Sequence, residues 1–287
     1  MLDFSVFRLE FRGPANAILP HWLGSTWRGA MGHALKRATC HCSNGTHSVA
    51  CVYSQLFETP VPDNTTRLRK YPAAPHPYVL RPHARDSTQP DLLTVDALLI
   101  GSARAHSRSL VNALQKGAAN GLGPKRTRYT LTKLEDISFK VRPEVPAHGT
   151  QFKLTFLTPH IVKYRGQIMD CDRFDLTGWC TNLMRRYNSL RYFHGDGIEP
   201  TDTQVKIMLD AFRQITIKQQ DLLWQRAARH SSRQQKNIDQ SGLGGQLTID
   251  LGTSSDLLMP LLLSGTYTHV GKSAVMGHGQ YTIEPIG

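Results

Sequence analysis

Two stretches of this 287-residue chain hold the side chains best suited to chemistry. Near the N-terminus Gly29, His33 and Arg37 recur four residues apart, which puts them on one face of a helix. An imidazole there can move a proton, an arginine can hold a developing anion, and the glycine leaves room for a backbone. Lys36 lies beside this stripe and Arg28 well round the helix from it. The other stretch is C-terminal, with Gly265, Gly271, Gly277 and Gly279 interleaved with Lys272 and His278. Glycines let backbone N–H groups approach a phosphate closely and reach φ > 0. It is not a Walker loop, because no Gly-Lys-Ser/Thr follows a first glycine at the required spacing. A plain glycine-rich β-turn is the competing reading.

Phosphate donors are dense elsewhere. Arg226-Ala-Ala-Arg229-His230-Ser231-Ser232-Arg233-Gln234-Gln235-Lys236 carries arginines that can fork onto phosphate and neutral donors beside them. Lys125 and Arg126 close a second glycine-rich basic loop, 117–126, and Arg185, Arg186 and Arg191 lie mainly off the apolar stripe of a helix. Cys40-His41-Cys42, with His47 and Cys51 after it, invites a zinc reading. That spacing is looser than paired Cys-x-x-Cys, so reduced thiols in a loop are expected and no metal or cofactor is assigned. No dinucleotide fingerprint, HExxH or Gly-x-Ser-x-Gly is present, and carboxylates are too sparse near the basic clusters for a two-metal nuclease.

These residues need elements to position them. Asp3–Phe11 reads as a strand ended by Gly13-Pro14, and apolar Leu23, Trp27, Met31, Ala34 and Ala38 predict a helix from Pro20 to about Ala38. Seven of the sixteen prolines fall between Pro60 and Pro90, which predicts an extended flap there rather than core. Leu92–Ile100 reads as a strand, Ser102–Lys116 as a basic helix and Tyr129–Phe139 as a strand. Residues 142–149 make the linker. Beyond it come a strand over Phe152–Lys163, a helix capped by Asp172 and running to about Phe193, a strand over Gln246–Leu251 and a helix over Asp256–Leu263. Residues 203–230 do not separate into helix or strand.

Each half opens with a strand and helix and closes with a helix, a glycine-rich basic loop and a strand. The order predicts an α+β chain of two tandem ferredoxin-like (RRM-like) βαββαβ domains, residues 1–141 with a Pro-rich insertion at about 60–90, and residues 150–287 ending in the glycine-rich loop. A formal charge of +12 favours a polyanion such as nucleic acid or an acidic membrane surface. Five cysteines make no disulfide framework, no apolar run approaches the ~20 residues of a membrane span, and the start lacks a signal-peptide layout. A cytoplasmic protein without a membrane partner is expected.

Five blocks together resemble one family, the CRISPR repeat-RNA endoribonucleases of the repeat-associated mysterious protein (RAMP) superfamily. They are Trp27-Arg-Gly-Ala-Met-Gly-His-Ala-Leu35, Cys51-Val-Tyr-Ser-Gln-Leu-Phe-Glu58, Pro77-Tyr-Val-Leu-Arg-Pro82, Arg229–Gln235 followed by Gly242–Thr248, and His269–Tyr281. They span nearly the whole chain in the family's order. The resemblance implies two ferredoxin-like domains and metal-independent cleavage of a repeat, often a hairpin, by 2′-hydroxyl attack, giving 2′,3′-cyclic phosphate and 5′-hydroxyl ends. It also implies crRNA retained with other CRISPR effector subunits. His33 is the best match to the family's frequent histidine near the first helix, with His21 the competitor. Arg37 and Arg28 are expected as electrostatic stabilisers. If the site is arginine-based, Arg28, Arg37 or Arg233 carries the work. Expected RNA contacts are Arg229, His230, Ser231, Arg233, Gln234, Gly271, Lys272, Gly277, His278, Gly279, Lys125, Arg126, Arg185 and Arg186. The family's four-cysteine pattern is incomplete here. A non-catalytic crRNA-binding subunit and an unrelated tandem RNA-binding module are the alternatives.

Overall fold

The computed structural model describes every residue except 1, 43–46, 49, 64, 66–72, 139–148, 232–235 and 287. The chain divides into two compact units, Met1–Val141 with Ser189–Gly197, and Arg142–Asn188 with Ile198–Gly287. The sequence-based linker thus falls almost wholly outside the described residues.

In the first unit the elements run β1 (Phe4–Arg12), α1 (Gly24–Thr39), β2 (Tyr78–Pro82), β3 (Leu92–Ile100), α2 (Ser107–Asn120) and β4 (Thr130–Asp136). The sheet order is β2-β3-β1-β4, antiparallel throughout, which is the ferredoxin-like arrangement. Alternation sets the faces. Leu9 and Phe11 on β1 and Leu93, Val95, Ala97 and Leu99 on β3 share the buried side. Trp27 of α1 packs on Phe11 with ring centroids 4.8 Å apart, and Met31, Ala34 and Leu35 continue that buried stripe. Gly117, expected to open a loop, instead lies inside α2 against the backbone of Ala30 on α1.

The proline-rich stretch is not all flap. Tyr78, Val79 and Leu80 are fully buried, and β2 pairs with β3 from Tyr78↔Leu99 to Pro82↔Val95. Because β2 is an edge strand, Pro82 can end it without removing a needed ladder donor.

The second unit contains β5 (Gln151–His160), a short hairpin of β6 (Lys163–Tyr164) and β7 (Gln167–Ile168), then α3 (Leu176–His194), whose residues from Ser189 on group with the first unit, and α4 (Asp202–Gln214). There follow β8 (Thr216–Gln225), β9 (Ala228–Ser231), β10 (Lys236–Asp239), β11 (Gly242–Asp250), α5 (Ser255–Thr268) and β12 (Tyr281–Pro285). The main sheet runs β12-β5-β11-β8, again antiparallel and ferredoxin-like. Its core joins Phe152, Leu154 and Phe156 of β5 and Leu247 and Ile249 of β11 to Trp179 and Leu183 of α3 and Leu258 and Leu262 of α5. The unassigned region 203–230 resolves into α4 and β8. A capping box between Thr201 and Gln204 starts α4, and Val205, Met208, Leu209 and Phe212 turn its apolar face to the core. The cap expected from Asp172 comes instead from Asp175, whose Oδ1 accepts the N–H of Gly178 at 2.7 Å.

On the other side of the first sheet, Asp96 accepts from Arg8 Nε at 2.7 Å and Nη2 at 2.9 Å, with His83 Nε2 3.1 Å away. Burial alone would raise this carboxyl, but the bonds from Arg8 and His83 outweigh it and hold the pKa at about 2 instead of 3.8. The stability contributed is therefore complete above the unfolded value of 3.8 and lost as pH falls through about 2. Asp96→Asn is expected to cost about 2 kcal/mol near neutrality and to flatten the loss of stability between about pH 4 and pH 2. Denaturant titrations across that range check this, and an unchanged acid limb would contradict it.

Candidate nucleic-acid interface

α1 carries Arg28, His33, Lys36 and Arg37 and no acidic residue. His33 and Arg37 are exposed, and a Cβ built on Gly29 meets nothing within 4 Å, so the four-residue stripe is an open surface. Arg28 is not on it. At 100° per residue it lies about 140° from His33 and opposite Arg37. Its guanidinium stacks 4.2 Å above the Phe57 ring, and its Nη2 approaches His76 Nε2 at 3.4 Å. The Thr59 hydroxyl donates to the Ala74 carbonyl at 2.9 Å, so it accepts from His76 Nδ1 at 2.7 Å. That leaves His76 Nε2 as the acceptor facing Arg28. Tyr53, Phe57, His76 and Tyr78 stack in series beside it. Burial raises the Tyr78 phenol, and the Arg28 charge partly offsets that. Arg28, expected as an electrostatic stabiliser with Arg37, is thus held in an aromatic pocket on the opposite side of α1 from Arg37. His21, the competitor to His33, is exposed in the segment before α1.

Lys125 and Arg126 are exposed in the turn between α2 and β4, neither with an ion pair among the described residues. The turn packs on Leu19 beneath Gly123.

In the second unit the C-terminal glycine loop is clamped onto the end of β5. Lys272 N–H donates to the Ile161 carbonyl at 2.9 Å, Gly279 N–H to Pro159 at 3.0 Å, and Val270 N–H to Gly279 at 3.0 Å. The Thr158 hydroxyl donates to the Gly277 carbonyl and accepts from Gln280 N–H, both at 2.9 Å. Gly277, His278 and Gly279, expected on RNA, are buried, and only Lys272 of the loop is exposed. The glycines are needed for closure. At Gly279 (φ +72°) a Cβ would lie 1.9 Å from the Val270 carbonyl oxygen, and at Gly271 (φ +83°) 2.5 Å from that of Ile161.

His160, which no spacing or motif singles out, joins this clamp to the core. Trp179 Nε1–H donates to its Nδ1 at 3.0 Å, and its Nε2 donates to the Gln280 carbonyl at 3.1 Å, which fixes a neutral tautomer. Phe156 stacks on it at 3.9 Å. Burial pushes its pKa down to about 3.

Arg186, expected to flank RNA, turns inward. Its Nε donates to the Thr268 carbonyl at the end of α5 at 2.7 Å, where a cation opposes the helix dipole, and burial pulls its pKa down to about 10. Its neighbour Arg185 is exposed. β9 and β10 extend the β8–β11 pairing as a two-stranded ribbon, with Arg229 opposite Ile238, His230 opposite Asn237 and Ser231 opposite Lys236. Arg233 and Gln234 lie outside the described residues. At the ribbon's base Gln240 Nε2 donates to Ser273 Oγ at 3.1 Å, tying it to the glycine loop beside Lys272.

Cys40, Cys42, His47 and Cys51 could hold a metal, because their ligand atoms all lie within 4.8 Å of one another. Among the described residues no helix is long and apolar enough to cross a membrane.

The two kinds of glycine should separate in a stability assay. Gly279→Ala is expected to cost on the order of 3 kcal/mol or to prevent folding. Gly29→Ala, which adds a methyl to an open helix face, is expected to raise stability by up to about 1 kcal/mol. Thermal unfolding of both variants checks this, and equal effects would contradict the assignment.

Two family models match the chain. One, AF_1859_N, described as an N-terminal domain, covers residues 2–152. The other, described as CRISPR-associated endoribonuclease Cas6, covers residues 154–281. No curated protein matches. Among solved structures, a Cas6 (TTHB231) product complex aligns with a TM-score of 0.66 at 16% identity, covering 98% of this chain and 99% of that one. Thermus thermophilus Cas6 (TTHB231) aligns at 0.60 and 15% identity, covering 99% of both chains. A Cas6 (TTHA0078) product complex aligns at 0.58 and 13% identity, covering 99% of this chain and 100% of that one. At these identities the structures speak for the fold, the same pair of ferredoxin-like units derived above. Residues 154–281 match the Cas6 family of CRISPR-associated endoribonucleases, and with the paired ferredoxin-like units this makes the chain a CRISPR repeat-RNA processing protein of the RAMP fold.

Proposed function

We propose that the chain cuts CRISPR repeat RNA without a metal ion, using the 2′-hydroxyl of the cut nucleotide as nucleophile. The observation that carries this reading is the exposed stripe of α1, where His33 and Arg37 stand beside an open Gly29 on a helix without carboxylates. RNA supplies its own nucleophile, so the protein need only align the 2′-oxygen in line and stabilise the charge on phosphorus. The 2′-oxygen forms a bond to phosphorus and gives up its proton to a base. The bond from phosphorus to the 5′-oxygen breaks, and that oxygen takes a proton. The ends are a 2′,3′-cyclic phosphate and a 5′-hydroxyl.

His33 serves one of the two proton transfers and Arg37 balances the phosphorane charge. Arg28 acts as a positioning residue, held by Phe57 and His76. Lys125, Arg126, Arg185 and Lys272 hold the RNA backbone, with Arg229, His230, Ser231, Arg233 and Gln234 along the ribbon. An A-form stem hides its major groove, so its shape and its loop or flanking bases are what such contacts read. RNA as the ligand is supported by a Cas6 (TTHA0078) substrate mimic complex as well as the product complexes. A partial Cas6-RT-Cas1–Cas2 complex, where this chain aligns over 46% of the longer chain, supports other CRISPR proteins as partners. Retention of the product belongs to the same proposal.

His33→Ala and Arg37→Ala are each expected to slow single-turnover cleavage by about 10²–10⁴-fold while changing RNA affinity little. Gly29→Ala should weaken cleavage without loss of stability. Wild-type rates in His33→Ala would remove that residue from the chemistry. Tight binding by the wild-type chain with no cleavage would leave a crRNA-binding subunit in place of an enzyme.

A further inference from the structure

We infer that Cys40, Cys42, His47 and Cys51 form a structural zinc site that closes the connection after α1. The four donor atoms lie within 4.8 Å of one another, space for one ion and too little for a multi-iron cluster. His47 Nδ1 is 3.4 Å from Cys40 Sγ and 3.7 Å from Cys51 Sγ. With Zn–S of about 2.3 Å and Zn–N of about 2.0–2.1 Å, a tetrahedral ion sets adjacent sulfur and nitrogen ligands about 3.6 Å apart. The two observed distances bracket that edge. Three sulfur donors and one imidazole are a Cys₃His set, the soft, closed coordination typical of structural zinc.

The surroundings fit the same reading. The other ring nitrogen of His47, Nε2, is 3.2 Å from Glu58 Oε2. A carboxylate behind a histidine ligand fixes its tautomer, leaving Nδ1 as the lone pair directed at the metal. Ser48 N–H points at Cys42 Sγ at 3.5 Å, a donor able to stabilise a thiolate. Three thiolates and a neutral imidazole around Zn²⁺ leave one negative charge, and Lys36 stands nearby with its Nζ 5.2 Å from the Tyr53 ring. Tyr53 in turn contacts the His47 ring at 5.5 Å.

The site joins two parts of the first unit. Cys40 immediately follows α1, and Cys51 leads into the short π-helix Ser54–Glu58. That helix carries Phe57, which fills the space over Gly32 of α1 and supports the Arg28 guanidinium. A zinc ion here would brace the Phe57–Arg28 stack from outside. With four protein ligands it has no open position for water or phosphate and so takes no part in RNA cleavage.

The test uses the full chain without a histidine tag, expressed with zinc and purified under reducing conditions. Elemental analysis is expected to find one zinc per chain, retained in Cys171→Ser, whose thiol lies in the other unit, and lost in Cys40→Ser and Cys51→Ser. To keep the test independent of how the serine variants fold, wild-type protein stripped of zinc under reducing conditions is also titrated with Co²⁺. Saturation at one equivalent, with thiolate-to-cobalt charge transfer and the strong visible bands of a tetrahedral site, is expected. Zinc-free protein should also unfold at a lower temperature, restored by adding zinc. Zinc content no higher than in the cysteine variants, or Co²⁺ spectra of an octahedral ion, would overturn the inference. These readouts are independent of whether the chain cleaves RNA.

Discussion

The second unit depends on closing its last loop over the end of β5. Within a few residues, Thr158, Pro159, His160 and Ile161 each bond to the segment from Val270 to Gln280. Thr158 and His160 contribute side chains, while Pro159 and Ile161 bond backbone to backbone, which needs the close approach that Gly279 and Gly271 allow. His160 extends the closure inward through Trp179, and Tyr281 follows directly as the first residue of β12. A buried imidazole that donates once and accepts once satisfies both of its nitrogens, so burial costs it little while it stays neutral. The loop is thus mainly an architectural lock, and its one exposed cation, Lys272, is presented by that lock.

Charge placement separates structural from functional cations. Arg8, Arg12, Arg173, Arg191 and Arg213 are matched with carboxylates. α1, α2 and α3 contain no Asp or Glu at all. Apart from Arg191, which pairs with Asp196 just beyond α3, cations on those helices point into solvent, as Arg37 and Arg185 do, or are taken up by packing, as Arg28 and Arg186 are. Uncompensated exposed cations favour a polyanionic partner and make its binding sensitive to salt.

Much of this architecture is legible in the sequence, and the exceptions have physical causes. β3 falls on Leu92–Ile100 as expected because a mostly apolar run, interrupted only by Thr94 and Asp96 and bounded by turns, has few alternatives. β2 is hidden because its prolines read as breakers, and only its edge position makes them tolerable. β8 is an exposed edge strand on nearly every residue, so it lacks the burial alternation that marks a strand. The α1 stripe is readable from four-residue spacing alone. What spacing cannot give is which way a side chain leans once partners arrive from elsewhere. Arg186 and Arg185 are adjacent and alike, yet only one finds a helix end to cap. The cysteine cluster is scattered over twelve residues and meets only when the chain turns back after α1.

On the mechanism proposed above, the RNA's own 2′-oxygen performs the attack. Its most direct test is a gel assay with the repeat RNA from the same genome, with EDTA added together with the RNA. It runs beside a copy carrying a single 2′-deoxy substitution at the cut nucleotide. Cleavage of the first to a 2′,3′-cyclic phosphate and complete protection of the second at equal affinity are expected. Cleavage of the deoxy strand, or activity that requires added divalent metal, would contradict that mechanism.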